Sequence, residues 1–423
     1  MSLRFSVAPD AHLTLFPPLA ILALGMAIRL VWVALVPVDP VSDSHAYQVF
    51  ALTLAREGVY GWTAAEPSAY WAVGTAALVA AGYLLFGETP LVVVGLNLIA
   101  SLAMIWLSWR IAERLWGASA GRIAMALMAF WPNLIFFTSV LSSELFFLAL
   151  SLAGVWFWLL RETWSLRDAR GLPALLASGL FFAAACYVRP VALLLPVVLW
   201  MVTWPQGLRQ SARALAGAGV VLAIIYLCAL PWSMRNQAVL GADALISTNF
   251  GPNLWMGNNP ASDGGYMDLP PEVASMSEGA RAEYLGAIAK DYMRENPGQT
   301  LLRTLKKAVQ LHGRETIGVA WNEAAIRALG GDGLLAAAKL VATGWWYSLV
   351  LAAGTGIVLL WREGGWRAAL FNPAVAIWGY VTLVHAVIVV EDRYHMPASP
   401  WIAMLAAVAL ARLLARDREA PAS

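Results

Sequence analysis

Four stretches of this chain carry charged side chains at the ends of long apolar segments: Asp43, Glu144, Arg189 and Glu391–Arg393. Charges at such positions are costly and are usually functional or paired. A carboxylate there can take a proton from an acceptor hydroxyl or amine. An arginine at the hydrocarbon boundary can hold a lipid phosphate through its planar donors. These residue types suggest transfer chemistry on a substrate that is part lipid, part polar, and anionic where the two parts join.

Each of these side chains also has a structural explanation. Asp43, or Ser42 before it, could only cap a helix, because exposed backbone N–H groups favour an acceptor there. Glu144 could cap its own helix in the same way. Arg189 could extend to the interface as many long basic side chains do, and Arg393 could form a structural bridge with an acidic neighbour. The sequence alone leaves these alternatives open.

The composition defines an integral membrane protein. Of 423 residues, 60% are hydrophobic and only 13% are charged, against roughly 25% charged residues in a globular chain. No basic stripe with interleaved aromatic residues suggests nucleic acid as a partner. Cys186 and Cys228 lie in apolar runs, and His312, His385 and His395 lack the spacing of metal ligands. We therefore expect neither a disulfide framework nor a metal site.

Ten apolar segments predict an all-α polytopic membrane protein with about ten transmembrane helices and juxtamembrane helices in the first outer loop. The predicted spans are Pro18–Pro37, Leu91–Trp109, Ile123–Leu141, Leu145–Leu160, Leu172–Val188, Val191–Trp204, Ala214–Trp232, Leu340–Trp361, Ala368–Val390 and Met396–Ala411. A further segment, Trp71–Phe86, is apolar but short and rich in Gly and Ala.

The arginines between the spans decide how Trp71–Phe86 is interpreted. If that segment does not cross, the clustered arginines all share one face with Arg4, and the positive-inside rule makes that face cytoplasmic. Both termini are then cytoplasmic. The clustered arginines are Arg110, Arg114, Arg122, Arg161, Arg167, Arg170, Arg209, Arg213, Arg362, Arg367, Arg412, Arg416 and Arg418.

The outer face collects the polar segments. We divide the chain into a transmembrane catalytic module (1–232, with the outer loop 38–90), an extracytoplasmic segment (233–339) and C-terminal spans (340–423). The extracytoplasmic segment opens with a Gly/Asn/Pro-rich loop at Gly251–Tyr266 and continues with two predicted helices, Ser277–Glu295 and Gly298–His312. We expect it to cover the groove beside Asp43.

The first outer loop begins with a predicted amphipathic helix from Ser42 to Arg56. One stripe of that helix is apolar, and such a helix is expected to lie on a membrane surface with its apolar face down. The stripe consists of Ala46, Val49, Phe50, Thr53 and Leu54.

Several short patterns follow one another along the chain in the order seen in a known family. Asp43 is followed by Tyr47 and then by Ala51, Leu54 and Gly58. Further blocks are Tyr70–Gly74 running to Leu85–Phe86–Gly87, the turn Arg114–Gly117, the outer acidic residue Glu144, the basic hairpin tip Arg189, the loop Gly251–Pro260 and Arg393–Pro397. In this order and sidedness the chain resembles the GT-C glycosyltransferases, above all the protein O-mannosyltransferases and the bacterial aminoarabinose transferase that modifies lipid A.

The resemblance implies a multi-pass glycosyltransferase of the bacterial inner membrane. Such an enzyme transfers a sugar, with inversion, from a polyprenyl-phosphate donor to a lipid, glycan or protein acceptor on the extracytoplasmic face. It implies Asp43 as the general base, with Glu144 assisting. No cofactor is expected, and no residue pattern indicates the divalent metal that this class can accommodate. The implied substrate-binding residues are Tyr47, Arg189, Arg393, Tyr394, Asn258 and Asn259.

Two other classes of protein compete with this interpretation. A transporter or flippase of a lipid-linked or polar solute would carry charges in mid-span and paired broken helices. Here the charges cluster at the outer tips, which favours an enzyme. The third class is a non-catalytic assembly partner in an envelope complex.

The predicted topology can be tested by cysteine labelling. If Trp71–Phe86 does not cross, positions near Ser68 and near Glu88 lie on the same side of the membrane. We expect an impermeant thiol reagent added outside to label cysteines at both places. Labelling of only one of them would show that the segment crosses.

Overall fold

The computed structural model describes residues 17–161 and 170–419, with side chains described as far as residue 415. Arg4 and Arg167, and the side chains of Arg416 and Arg418, lie outside the described residues. The helices are α1 Pro18–Leu35, α2 Asp43–Glu57, α3 Gly74–Phe86, α4 Pro90–Trp116, α5 Ala118–Ala129, α6 Pro132–Phe136, α7 Glu144–Leu160, α8 Leu172–Val188, α9 Leu195–Met201, α10 Leu208–Leu240, α11 Phe250–Gly257, α12 Glu278–Glu295, α13 Pro297–Gln310, α14 Ile317–Ala320, α15 Glu323–Leu370, α16 Pro373–Val387 and α17 Ser399–Glu419.

Strands are limited, in this described part, to a small antiparallel hairpin between α2 and α3. It pairs β1 (Gly61–Thr63) with β2 (Glu66–Pro67). The predicted all-α polytopic membrane fold is confirmed.

Five helices are long and apolar enough to cross a membrane, and the bent pair α5–α6 makes a sixth candidate. The five are Pro18–Leu35, Pro90–Trp116, Leu208–Leu240, Glu323–Leu370 and Met396–Ala415. The other four predicted spans coincide with shorter apolar helices at Glu144–Leu160, Leu172–Val188, Pro190–Gln206 and Pro373–Val387. Length and composition alone thus give five or six spans in the described residues, and the shorter helices occupy the remaining predicted positions.

Helix α3 is the segment whose crossing was in question. It has 13 residues, or about 20 Å at the rise of an α-helix, against a hydrocarbon core of about 30 Å. That length supports the prediction that the segment does not cross. Ser68 is buried, whereas Glu66 and Glu88 are exposed, so Glu66 is the better labelling position before α3.

The third predicted span is not a straight helix, as the sequence pattern suggested, but bends by 53° between α5 and α6. Pro132 lacks the N–H that would continue the helix. A buried side chain binds the carbonyls that the break releases. Arg29 donates to the carbonyls of Met128 and Ala129, where the negative end of the α5 dipole also favours a cation.

Asn97 of α4 donates to the carbonyls of Phe137, Thr138 and Val140, just beyond α6. Unpaired carbonyls at this depth would each cost free energy, so these bonds fix the irregular backbone after the bend. That backbone leads directly into Glu144, the first residue of α7. The break therefore positions one of the four charges that the sequence singled out.

Helix α17 lies at the centre of the bundle. It packs against α5 and α15, and 72% of the residues in its apolar stretch are buried. Its alanines let neighbouring backbones approach closely, as small residues do in membrane bundles. A Cβ atom on Gly356 of α15 would lie 2.1 Å from the carbonyl oxygen of Leu405, so only glycine fits there.

The apolar stripe of α2 is buried in the protein, which corrects the expectation that it faces lipid. Phe50 is fully buried, and α3 packs on the same face. The ring of Phe50 makes edge contacts with Tyr60, Trp62 and Trp71, with ring centroids 4.8–5.7 Å apart. Amphipathic spacing predicts an apolar face but does not say whether lipid or protein covers it.

The Gly/Asn/Pro-rich segment predicted as a loop begins with helix α11. Its glycines serve close packing. A Cβ on Gly251 would lie 1.9 Å from the carbonyl oxygen of Ala282 in α12. One on Gly257 would lie 1.8 Å from that of Ile388 after α16. The two predicted helices that follow are confirmed as α12 and α13.

Lys307 joins helix α13 to the apolar helices of the bundle. Its buried ammonium group donates to the carbonyls of Gly257, Val387 and Ile388 over 3.0–3.1 Å. Burial, together with the charge of Arg303, lowers the pKa of Lys307 to about 8. These contacts tie α13 to the turn after α11 and to the end of α16.

Loss of this amine should loosen the extracytoplasmic segment. Lys307→Met removes the donor from the carbonyl of Gly257, whereas the carbonyls of Val387 and Ile388 keep the amide of Asn258. We expect a loss of about 1–3 kcal/mol in the free energy of unfolding. Lys306→Met, an exposed neighbour, is the matched control and should change little. Thermal unfolding and limited proteolysis in detergent measure both. Equal behaviour of the two variants would mean that the Lys307 contacts contribute nothing.

Candidate active site

The centre of the site is a buried carboxylate held by two arginines. The side chain of Glu144 is fully buried at the start of α7. Its Oε1 accepts from Nη2 of Arg189 at 3.0 Å and lies 3.6 Å from Nη1 of Arg393. Removing one partner of such a pair leaves an uncompensated buried charge. The three side chains therefore fix the relative positions of α7, the end of α8 and the segment before α17.

Arg393 also pairs with Asp43. Its Nη2 donates to Oδ2 of Asp43, the first residue of α2. Ser42 makes no capping bond and has φ +54°, a strained conformation for a residue with a Cβ. Asp43 makes no capping bond either. The capping explanation of these two residues therefore does not describe the structure, in which the Asp43 carboxylate pairs with Arg393 instead.

The two arginines are unlike in how much of their hydrogen-bonding capacity is used. Arg393 lies 4.7 Å from the ring centroid of Trp321 and 5.5 Å from that of Tyr394. Burial alone would lower the pKa of Arg393, but the carboxylates of Asp43 and Glu144 raise it above the ordinary value. Arg189, followed by Pro190, ends α8, and its Nη1 has no acceptor among the described residues. That N–H group is enclosed by the protein, so an anion that enters the site reaches it only when the Arg189 side chain shifts.

The segment from Glu391 to His395 connects the site to its surroundings, because each side chain contacts a different element. Glu391 accepts from the backbone N–H of Tyr266, and burial raises the pKa of its carboxyl. Asp392 accepts from the backbone and side chain of Thr316. Tyr394 stacks on His385 with centroids 4.7 Å apart.

His395, the last residue of that segment, contacts the buried Glu315 at 3.2 Å. Trp131, at the bend between α5 and α6, donates to the other oxygen of Glu315 at 2.8 Å. Burial raises the pKa of the Glu315 carboxyl, and His395 opposes that shift. The break in the third span is thereby linked to the backbone that carries Arg393.

A cavity of about 1120 Å³ opens beside these charges. Five of the predicted site residues line it: Asp43, Tyr47, Arg189, Arg393 and Tyr394. Glu144 is not among the lining residues, because the arginines cover it. Glu144 therefore lies behind the two arginines and does not face the cavity. Burial raises the pKa of Tyr47, and the nearby carboxylates of Asp43 and Glu144 raise it further.

Asn258 and Asn259 do not line the cavity, contrary to the expectation from the sequence. The amide of Asn258 donates to the carbonyls of Leu254 and Val387, and that of Asn259 donates to the carbonyl of Trp255. Both side chains are buried and serve the turn after α11. Two other asparagines, Asn249 and Asn253, line the cavity in their place.

Sequence reasoning also missed several residues that line the cavity. Tyr70, Tyr266, Glu278, Arg281 and Trp321 belong to it. The carboxylate of Glu278 accepts hydrogen bonds from the hydroxyls of Ser68 and Thr248 and from the backbone N–H of Ala69. These bonds attach the loop between α2 and α3 to α12. A charged residue in the first turn of a helix looks like an ordinary surface residue, so no sequence signal separates Glu278 and Arg281 from their neighbours. The contact between α12 and the first outer loop results from tertiary packing, which the local sequence does not reveal.

No group of three or more His, Cys, Asp or Glu side chains that could hold a metal ion occurs within residues 17–161 and 170–415. The site has instead two arginines and one unused N–H group. This chemistry suits a phosphate or carboxylate better than a cation. The expectation that no metal or cofactor takes part stays a prediction.

No protein-family model matches the sequence, and no curated protein matches it in sequence. Solved structures do match in fold. The apo oligosaccharyltransferase of Archaeoglobus fulgidus has a TM-score of 0.59 at 13% identity, covering 97% of this chain and 52% of that chain. The same enzyme, AglB, with an inhibitory peptide and a dolichol-phosphate, gives 0.57 at 12% identity, covering 96% and 52%.

ArnT of Cupriavidus metallidurans bound to undecaprenyl phosphate has a TM-score of 0.41 at 15% identity, covering 95% of this chain and 79% of that chain. The chain spans about half the length of the archaeal oligosaccharyltransferase. The matches to the archaeal oligosaccharyltransferase, with TM-scores above 0.5, show a GT-C-like fold, as the order of the sequence patterns predicted.

The central ion pairs generate a stability prediction. Glu144→Gln should lower the free energy of unfolding by about 3–5 kcal/mol, because Arg189 loses its carboxylate and keeps its charge. The exposed pair of Arg56 with Glu88 offers a control, and Glu88→Gln should have little effect. Thermal unfolding in one detergent compares the two. A similar small change for both would show that Glu144 is not the anchor of the site.

Proposed function

We propose that this protein is an integral-membrane glycosyltransferase that uses a polyprenyl-phosphate sugar donor. The observation that carries the proposal is the convergence of Asp43, Arg189 and Arg393 on one large cavity around buried Glu144. It supports a site with a proton acceptor and two phosphate-binding groups. The GT-C-like fold supports the same class.

The cavity supports a donor of this kind. On one side Leu193, Leu194 and Val191 line it, and Leu194 is 49% exposed, which offers a path for an isoprenoid tail beside α9. On another side the aromatic rings of Trp62, Trp71 and Tyr70 could stack on a sugar. AglB, which shares the fold, has been solved with a dolichol-phosphate. These features favour a lipid phosphate over a nucleotide sugar.

Binding of the donor would begin with its phosphate. Nη1 of Arg189, once that side chain shifts, and the guanidinium of Arg393 supply charge-assisted hydrogen bonds. The Arg393 guanidinium must then move one of its hydrogen bonds from Asp43 to the phosphate. That exchange releases the Asp43 carboxylate only when a donor is present. The donor thereby prepares the base for the acceptor.

Transfer would follow as a single displacement with inversion. The acceptor oxygen attacks the anomeric carbon from the side opposite the phosphate, and its proton passes to Asp43. The bond between the anomeric carbon and the phosphate oxygen breaks, and its electron pair stays on the phosphate. Arg189 and Arg393 stabilise the negative charge that grows there. Glu144 keeps both arginines in place.

The acceptor would be a lipid, a glycan or a protein segment on the extracytoplasmic face. Helices α11 and α12 contribute Asn253 and Arg281 to the cavity and are suited to select it. We place the enzyme in a bacterial inner membrane with both termini in the cytoplasm, following the arginine distribution. A nucleic acid has no place in this proposal.

The function is tested by turnover. Purified protein in nanodiscs should convert a radiolabelled polyprenyl-phosphate sugar to free polyprenyl phosphate when a mixed envelope extract supplies the acceptor. Mass spectrometry of envelope glycolipids and glycoproteins with and without the gene should show the matching product. Movement of intact donor across a vesicle membrane without cleavage would favour the transporter instead.

The role of Asp43 is tested by Asp43→Asn. We expect the variant to fold, to bind donor and to lose roughly a hundred- to ten-thousandfold in rate, because an amide cannot accept the proton. Asp39→Asn, an exposed carboxylate of the same loop, is the matched control and should keep most activity. Glu391→Gln tests whether Glu391, another carboxylate that lines the cavity, is the proton acceptor instead. Wild-type turnover in Asp43→Asn together with failure of Glu391→Gln would make Glu391 the base.

Phosphate binding is tested by Arg189→Lys. A lysine can still neutralise Glu144, but it lacks the fork that serves two acceptors at once. Loss of one charge-assisted contact, about 1.5–3 kcal/mol, should lower kcat/KM for the donor roughly ten- to a hundredfold. Arg56→Lys on the exposed end of α2 is the control. Unchanged donor kinetics would leave Arg189 with a structural role only.

A further inference from the structure

Helix α13 exposes its apolar face and buries its basic face. Leu301, Leu302, Leu305 and Val309 are 61%, 69%, 57% and 75% exposed. Their spacing places them on one stripe of the helix. An outer helix that faced only water would carry polar side chains there, so this surface needs a partner.

The opposite side of α13 is held by the protein. Lys307 is buried among the carbonyls at the end of α16, and Arg303 donates to the carbonyl of Asn259 at 2.9 Å. The helix cannot roll to bury its leucines without breaking these bonds. The outward direction of the apolar stripe is therefore fixed by the fold.

The position of α13 identifies what covers the stripe. Just beyond its last turn, the carbonyls of His312 and Gly313 accept from Trp346 and Tyr347. Those two residues lie in α15, inside the predicted span Leu340–Trp361. At its other side, Lys307 reaches the outer end of α16. Both contacts place α13 at the level where two spans leave the hydrocarbon core.

We infer that α13 lies in the outer leaflet of the bilayer, with its apolar stripe among the acyl chains. Lipid is the occupant because the stripe is continuous with span ends, where Trp and Tyr mark the interface. Exposed Lys306 beside the stripe can contact lipid phosphates. The inference does not depend on the proposed function, since it concerns only how the protein sits in the membrane.

Lipid-quenching measurements test this placement. In a Cys228→Ala background, where Cys186 is buried, single cysteines replace Leu302 or Val309 and carry a bimane label. Glu283→Cys on the exposed side of α12 is the control within the same extracytoplasmic segment. Nanodiscs of phosphatidylethanolamine and phosphatidylglycerol contain lipid with a doxyl group near the headgroup, and iodide serves as the aqueous quencher.

We expect doxyl lipid to quench the labels at Leu302 and Val309 severalfold more than the label at Glu283, with iodide showing the reverse order. Iodide quenching of Leu302 equal to that of Glu283 would overturn the inference, since the stripe would then face water. Protection of Leu302 from both quenchers would overturn it as well, because a protein surface would cover the stripe. Gel filtration of each labelled sample verifies the fold, and the exposed positions tolerate the substitution.

Discussion

The structure depends on keeping one carboxylate, that of Glu144, charged and out of water. An uncompensated charge at this depth would cost several kcal/mol, so the chain must bring cations to it. Arg189 comes from 45 residues away and Arg393 from the segment before the last span. The backbone after the bend between α5 and α6 leads into Glu144, the end of α8 carries Arg189, and the segment before α17 carries Arg393. The cavity is the space left beside the charges once these elements have met.

The same requirement explains why Asp43 belongs to the site. Arg393 has more donors than Glu144 can accept, and Asp43 takes part of the surplus. The pair stabilises the protein, but it also occupies the carboxylate that the proposed function assigns as the proton acceptor. Stability thus favours keeping the Arg393 guanidinium on Asp43, whereas the proposed chemistry requires it to leave Asp43. An anion that competes for Arg393 satisfies both demands, because it replaces the lost pairing as it frees Asp43.

The sequence predicted the parts of this arrangement that rest on rare features. Charges at the ends of apolar segments are few, so Asp43, Glu144, Arg189 and Arg393 stood out, and the order of the motifs indicated the fold. It could not predict which surface an apolar stripe meets: α2 buries its stripe against α3, whereas α13 exposes its own. It also could not separate Asn258 from Asn253, because only tertiary packing decides which amide faces a backbone carbonyl and which faces a cavity. The bend at Pro132 is held by Arg29 and the irregular backbone after α6 by Asn97, and these roles appear only when the carbonyls they bind are known.

The wide separation of the paired residues has a consequence for biosynthesis. Asp43 and Arg393 lie 350 residues apart, so the pair cannot form until the ribosome has made all the residues between them. Glu144 and Arg189 meet much earlier, on neighbouring helices that can insert together. During translation the nascent protein therefore holds a half-neutralised centre and an incomplete cavity. The cavity is complete only once the segment that carries Arg393 and Tyr394 has joined it, and α17, which follows that segment, packs against α5 and α15.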